Sequence, residues 1–378
     1  MLNSIRHRHR LLRPPSSPHG LAFLFLKSLS STTSSVAPHS QTLTFLIDSC
    51  DLSPESAISA CQKLRFKSTE NPSAVLRLLR DYGLGETDVS RIVSRHPSVL
   101  SFDSRRILRP KIEALRSFGF SGESLVRVLT VQPVLLTRSL ESHIVPCFTF
   151  LRTLLAAADG DIVSVFTRNP QVLNADLNKS ILPILAVLRK HNLPEERISR
   201  LVKIHPRVLI LSLRRVNEIV DQLKAAGVLP SDLAFIYAFR VVAAQKSASW
   251  DRKVAAFESS GLSAADVASS FRRHPWVMLT SAEKIRRSLE FFLRRLKLAP
   301  DDIVRHPILL KFSLEKRILP RCAVMSLLKR KGKLEESASV VRALLVTTSS
   351  FLKRYVVRYQ DDVPAVLKAY NGEIKFNG

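Results

Sequence analysis

Arg95-His96-Pro97-Ser98-Val99-Leu100, followed by a second proline at Pro110, decides the fold because it recurs. Gln132-Pro133-Val134-Leu135-Leu136 with Pro146, and Asn169-Pro170-Gln171-Val172-Leu173 with Pro183, repeat both halves. His205-Pro206-Arg207-Val208-Leu209 and His274-Pro275-Trp276-Val277-Met278 keep the first half alone, and His306-Pro307-Ile308-Leu309-Leu310 with Pro320 restores both. The lead prolines fall 36, 37, 36, 69 and 32 residues apart, the 69 spanning two units of which one has lost its proline. A recurrence at this period is the signature of stacked supersecondary repeats.

One unit reads physically as follows. A first helix must end at the residue before the lead proline, because the proline ring pushes that residue out of the α region. Pro-x-apolar-apolar is too short for a further helix and suits a single 3₁₀ turn whose two large side chains plug the core. A second helix then carries the other proline, either in its first turn or as a kink. Ser53-Pro54-Glu55, Asn71-Pro72, Ser263 to Asp266 and Pro300-Asp301-Asp302 supply helix starts. Gly119, Asn192, Gly227 and Gly261 supply stops, being residues that tolerate the left-handed conformation of a C-cap. Residues 228–260 form a degenerate unit with Phe239-Arg240-Val241-Val242 where a plug belongs. A last basic helix ends near Gly332, a helix pair over 335–370 caps the array, and 371–378 form a tail. Tyr355 and Tyr359, at helical spacing, seal that cap.

Composition agrees. The chain has 378 residues, 46% of them hydrophobic, and only 11 glycines, with long Leu/Ala/Arg-rich stretches that argue against sheets. No uncharged apolar run approaches the roughly 18 residues of a membrane span, so none is expected. Fifty-eight Lys and Arg stand against 32 Asp and Glu, a net charge of +26 whose self-repulsion points to a polyanionic partner. Residues 1–47 contain no acid and carry Arg6, Arg8, Arg10, Arg13 and Lys27 ahead of a Ser/Thr tract, the composition of an organelle transit peptide. The early arginines favour the mitochondrion and the Ser/Thr tract keeps the chloroplast as the alternative. Removing the segment leaves about +21, so the polyanion argument survives.

Catalytic patterns are missing. No Ser/His/Asp set, paired carboxylate, P-loop or Rossmann glycine pattern appears, and an enzyme is not expected. Cys50, Cys61, Cys147 and Cys322 are scattered without a Cys-x-x-Cys pair, which fits small buried thiols in a reducing compartment. His96, His205, His274 and His306 each precede a lead proline at a helix end, where capping and the helix dipole explain them better than a metal. No metal and no cofactor are expected.

With these residues in view, the chain resembles the mitochondrial transcription termination factor (mTERF) family. The resemblance rests on the His/Asn-Pro-x-Leu-Leu plugs, on helices such as Leu108-Arg109-Pro110 through Leu115, and on the period near 35. Phe45 to Cys50 with Leu52-Ser53-Pro54-Glu55-Ser56-Ala57 is similar to its land-plant branch. The resemblance implies an all-α, right-handed superhelical solenoid over 48–370 with a concave basic path for nucleic acid, acting in organellar transcription termination or related control. It also implies, as an alternative, RNA binding for organellar intron splicing or ribosomal RNA maturation. The missing plug proline near Val242 and the absent second prolines near Ile219 and Ser288 depart from the family pattern.

Register supplies the candidate contacts. Nine residues after each lead proline stand Arg106, Ser142, Lys179, Arg215, Lys284 and Lys316, basic in five of six units. Two residues before it stand Arg95, Val131, Arg168, Ile204, Arg273 and Arg305, basic in four of six. Equivalent positions of a solenoid align, so these nine cations form two stripes suited to phosphates. Adjacent helices ~8–10 Å apart give an arc of ~70 Å, a footprint of roughly 15–20 base pairs. Aromatic residues are only 7% of the chain and mostly Phe at core spacing, which favours duplex DNA over single strands, with RNA as the rival partner. A protein-binding α-solenoid scaffold is the third reading. A monomer, working beside organellar transcription or RNA-processing machinery, is expected.

Overall fold

A computed structural model describes residues 37–155 and 159–376. All regular structure among them is helical. The chain divides into two compact units, Met1–Leu177 and Asn178–Gly378.

In the first unit, first helices Pro54–Cys61, Glu86–Arg95, Gly122–Val131 and Asp159–Arg168 stack on one another. Second helices, Glu70–Asp81, Arg109–Ser117 and Val145–Leu155, form the other layer, and the plugs Pro97–Ser101, Pro133–Thr137 and Pro170–Asn174 touch in succession between them. The second unit repeats the plan. Glu195–Ile204 packs on Phe235–Ala243 and Ala264–Arg273 on Pro300–Arg305. In its other layer Leu182–Lys190 packs on Leu213–Ala225, and Ser247–Glu258 on Ala282–Glu290. Leu319–Arg330 closes the series before the C-terminal segment.

Each plug is the expected 3₁₀ turn. The residue before the lead proline is held at φ between −128° and −148° with ψ from 59° to 79°, as the ring demands. The two apolar residues that follow, from Val99 and Leu100 to Leu309 and Leu310, are 0% exposed in all six plugs. Each such side chain contributes about 1.5–3 kcal/mol relative to exposure, so the plugs are where the stacking energy concentrates. The predicted stops hold too, with φ of +94° at Gly119, +62° at Asn192, +71° at Gly227 and +90° at Gly261. At Gly227 the backbone itself calls for glycine, since a side chain is strained at that φ, whereas the exposed Arg272 side chain beside it could shift to admit a Cβ.

The second prolines do something the sequence left open. Where one is present, at Pro110, Pro146, Pro183 and Pro320, a π turn precedes it: Ser104–Leu108, Leu140–Ile144, Leu177–Ile181 and Leu314–Ile318. Where it is absent, Leu213–Ala225 and Ala282–Glu290 start directly as α-helix. A proline lacks its N–H and its ring crowds the carbonyl four residues back. Widening the preceding turn to i→i−5 bonding, as in Leu108 N–H to Asp103 O at 3.1 Å, removes that clash without breaking the helix.

Four segments differ from the sequence reading or refine it. The segment read as a transit peptide through residue 47 overlaps a helix, Ala37–Asp48, with Thr42 and Leu46 at 0% exposure and Phe45 edge-on to Phe66 at 5.3 Å. The rest of that segment lies outside the described residues. The helix placed at Asn71-Pro72 begins at Glu70. The stretch 228–260 contains two helices, Phe235–Ala243 and Ser247–Glu258, joined without a 3₁₀ plug. The C-terminal pair is broken into Val340–Leu345, Thr348–Phe351 and Ala365–Tyr370, joined by shorter turns, because Ser339 and Thr347 cap new starts with their side chains. Tyr355 and Tyr359 pack on that core as expected, and beyond Tyr370 so do Ile374 and Phe376.

Candidate nucleic-acid interface

In five of the six units with a lead proline, the second helix starts from a capping side chain six residues after it. Asp103 accepts from the Arg105 and Arg106 N–H groups at 2.8 and 2.7 Å. Ser139, Ser212, Ser281 and Ser313 each accept from the N–H three residues on, at 3.1 to 3.3 Å. The sequence has Asp176 at the same register. This periodic Ser/Asp is a signal that the proline spacing alone does not capture, though it stands at a fixed register in the sequence.

The consequence concerns the cations. The residue whose N–H the cap binds is the one nine after the lead proline: Arg106, Ser142, Arg215, Lys284 and Lys316. These side chains occupy the first turn of a helix, at the positive end of its dipole, where a cation is disfavoured by a few tenths of a kcal/mol to ~1 kcal/mol. Lys179 falls in the π turn Leu177–Ile181 that leads its own second helix. Local helix energetics therefore do not account for this row.

Its members are not equivalent. Arg106 and Lys316 are exposed, and among the described residues their backbone N–H groups, not their side chains, make the hydrogen bonds, the Arg106 charge lying near Asp103. Arg215 is half-buried, with Nη2 3.2 Å from both the Val242 and Gln245 carbonyls and Nη1 3.5 Å from Glu218. Lys284 gives Nζ to the Lys311 carbonyl at 2.6 Å. Both thus also brace the following repeat. Lys179 is exposed.

The other four cations stand in the last turns of first helices, where the dipole welcomes them. Arg95 Nη1 lies 3.1 Å from the Thr130 carbonyl, capping the next first helix, and Arg168 Nε lies 3.0 Å from Ser164 O in its own helix. Arg305 pairs with Asp301 at 2.6 Å, both ends more than 60% exposed, and Arg273 is exposed. Helix-end chemistry suffices for at least three of these four.

The histidines before the plugs are C-cap residues whose backbone N–H closes the first helix, as at His205 to Leu201 O, 2.8 Å. Their rings are not caps. His205 Nε2 and His274 Nε2 are buried without a protein partner. Burial, with Arg240 and Arg207 nearby, pushes the His205 imidazole down to about 4, and burial with Lys311 lowers His274. Among the described residues no cluster of His, Cys, Asp or Glu is arranged to hold a metal, and no helix is long and apolar enough to cross a membrane. All four cysteines are buried and unbridged, and burial pushes Cys50, Cys147 and Cys322 up to about 12.

The mTERF family profile matches residues 63–239 and 240–352, which covers the repeats of both units. The chain belongs to the mTERF family. Over 286 residues it is 27% identical to the mitochondrial transcription termination factor MTERF15 of Arabidopsis thaliana. Over 291 residues it is 22% identical to the chloroplastic transcription termination factor MTERF8 of the same plant. Each match takes in 76% of this chain and 55% of the relative, so the mTERF repeats here span about half the length of those proteins.

Proposed function

We propose that this mTERF protein binds nucleic acid in an organelle and controls DNA-templated transcription by holding duplex DNA through its first-turn cations. The observation that carries the reading is the placement of Arg106, Arg215, Lys284 and Lys316 at helix N-termini, against the dipole and in register. A polyanion reverses the sign of that cost, because a phosphate at a helix start meets both the dipole and the side chain. The net charge of +26 supplies long-range attraction. Both named relatives are transcription termination factors, one of the mitochondrion and one of the chloroplast, which supports an organellar role. The early arginines favour the mitochondrion. Phosphate contacts of this kind set register on the duplex and read no bases, so in this reading the chain acts as a clamp.

The test is a gel shift of the protein with duplex DNA, single-stranded DNA and structured RNA at two salt concentrations. Five phosphate contacts predict a log–log salt slope near −4.5 for the duplex. Changing Arg106, Lys179, Arg215, Lys284 and Lys316 together to Ala should flatten that slope. Duplex binding no tighter than that of the variant would overturn the reading, and tighter binding of structured RNA would move the site to RNA processing.

A further inference from the structure

The second unit carries an apolar, cation-flanked surface built from none of the nine candidate cations, although Lys284 reaches the backbone carbonyl of its Lys311. Leu233 is 78% exposed, more than any other large hydrophobic among the described residues, and Leu229 is 50% exposed. Loop slack does not explain them. Leu229 N–H donates to Asp232 Oδ2 at 2.7 Å, and Arg197 Nη1 donates to the Pro230 and Asp232 carbonyls at 2.8 and 2.6 Å, so the turn is braced from within and from the neighbouring helix. A braced turn that holds two leucines in water maintains a cost that folding alone would remove.

The surface continues along the helix that follows. Tyr237 lies one turn after Leu233, and its ring centroid is 6.0 Å from that of Trp276, both side chains half-buried. Arg200 lies over Tyr237 at 5.7 Å and donates to its hydroxyl at 2.8 Å, and Arg240 lies 5.1 Å from the Trp276 ring. Lys311 adds a third charge 5.8 Å from Trp276. None of these three cations is ion-paired with a carboxylate among the described residues.

We infer that this is a docking surface for a partner protein, through an amphipathic segment with leucine-like side chains on one face and carboxylates beside them. Two observations favour protein over nucleic acid here. A phosphate backbone gains nothing from Leu229 and Leu233. The aromatic faces are already approached by Arg200, Arg240 and Lys311, so a stacking base would have to displace them, whereas carboxylates need only join those cations at the rim. Apolar anchors ringed by unpaired charge of one sign are how a surface selects an acidic helix.

The chain has two tryptophans, so Trp250→Phe leaves Trp276 as the sole emitter. In that background the full chain is titrated with a helical peptide of about 20 residues, leucines on one face and glutamates on the other. A scrambled peptide of the same composition and a duplex of about 20 base pairs are run beside it. We expect saturable change in Trp276 emission with the amphipathic peptide alone among the peptides. Leu229→Ser with Leu233→Ser should weaken it at least tenfold and leave duplex affinity unchanged. Arg200→Glu with Arg240→Glu should weaken the peptide by a similar factor. The proposal is overturned if the amphipathic peptide fails to bind or the scrambled peptide binds as tightly. It is overturned too if the serine pair leaves peptide affinity intact, or if that pair lowers duplex affinity instead, which assigns the patch to nucleic acid.

Discussion

Lys111 Nζ lies 2.7 Å from the carbonyl oxygen of Leu136, and this bond ties the second helix of one repeat to the plug of the next. It has counterparts. Asn71 Nδ2 donates to Leu100 O at 3.1 Å, His143 Nε2 lies 3.3 Å from Leu173 O, and Lys253 Nζ donates to Met278 O at 2.6 Å. Leu100, Leu136, Leu173 and Met278 are all the third residue after a lead proline. A single 3₁₀ turn leaves its last carbonyls without an intrahelical donor, and the buried plug keeps water away. The preceding unit therefore supplies the donor. Arg321, 2% exposed, does the same for the C-terminal segment, reaching Ala343, Leu344 and Val346 carbonyls at 3.1, 3.1 and 2.7 Å.

Lys111→Met should expose the value of such a tie. The side chain is 7% exposed and methionine fills nearly the same space, so the main change is an orphaned Leu136 carbonyl. We expect a loss of about 1–2 kcal/mol, read as a lower urea midpoint at unchanged m-value. An unchanged midpoint would mean that relief from burying the ammonium offsets the lost bond.

His205 sets a pH dependence. Its folded-state value of about 4 lies below the usual 6.5, so the unfolded chain binds more protons between those limits. Stability contributed by the neutral ring is complete above pH 6.5 and is lost as pH falls towards 4, by ~3 kcal/mol at most. Urea midpoints at pH 7.5 and 5 should differ less for His205→Gln than for the parent chain.

Pro110→Ala tests the origin of the π turns. Alanine restores an N–H able to reach the Arg106 carbonyl, so Ser104–Leu108 should tighten to α-helix. Gain of that bond and loss of proline's restraint on the unfolded chain are both near 1 kcal/mol, so stability should change by less than ~1 kcal/mol. A crystal structure of the variant that keeps the π turn would show that packing, not proline, creates it.

Features carried within a few residues were legible in the sequence. The plug pairs, the left-handed stops and the single 3₁₀ turn follow from Pro, Gly and Asn acting on their own neighbours, and the structure has them where the spacing put them. Features set between units were not. Lys111, between Arg109 and Glu113 in sequence, reads as one more solvated lysine until Leu136 is placed beside it. The exposure of Leu233 was equally invisible, since an isolated leucine after a turn looks like core. For the candidate site, sequence register proposed nine cations. It was silent on which of them spend their donors on the next repeat.

That division yields a prediction about the row itself. Arg106 and Lys316 are exposed and make no side-chain hydrogen bond among the described residues, so each can give its whole charge to a phosphate. Changing either to Ala should lower the duplex salt slope by about 0.9 and leave the melting temperature alone. Arg215 also holds the Val242 and Gln245 carbonyls, so Arg215→Ala should cost about 1–2 kcal/mol of stability in addition to weakening binding. Measured side by side, the three variants separate charge spent on nucleic acid from charge spent on stacking. If Arg106→Ala and Lys316→Ala leave the salt slope untouched, the first-turn cations do not face phosphate and their unfavourable placement has another cause.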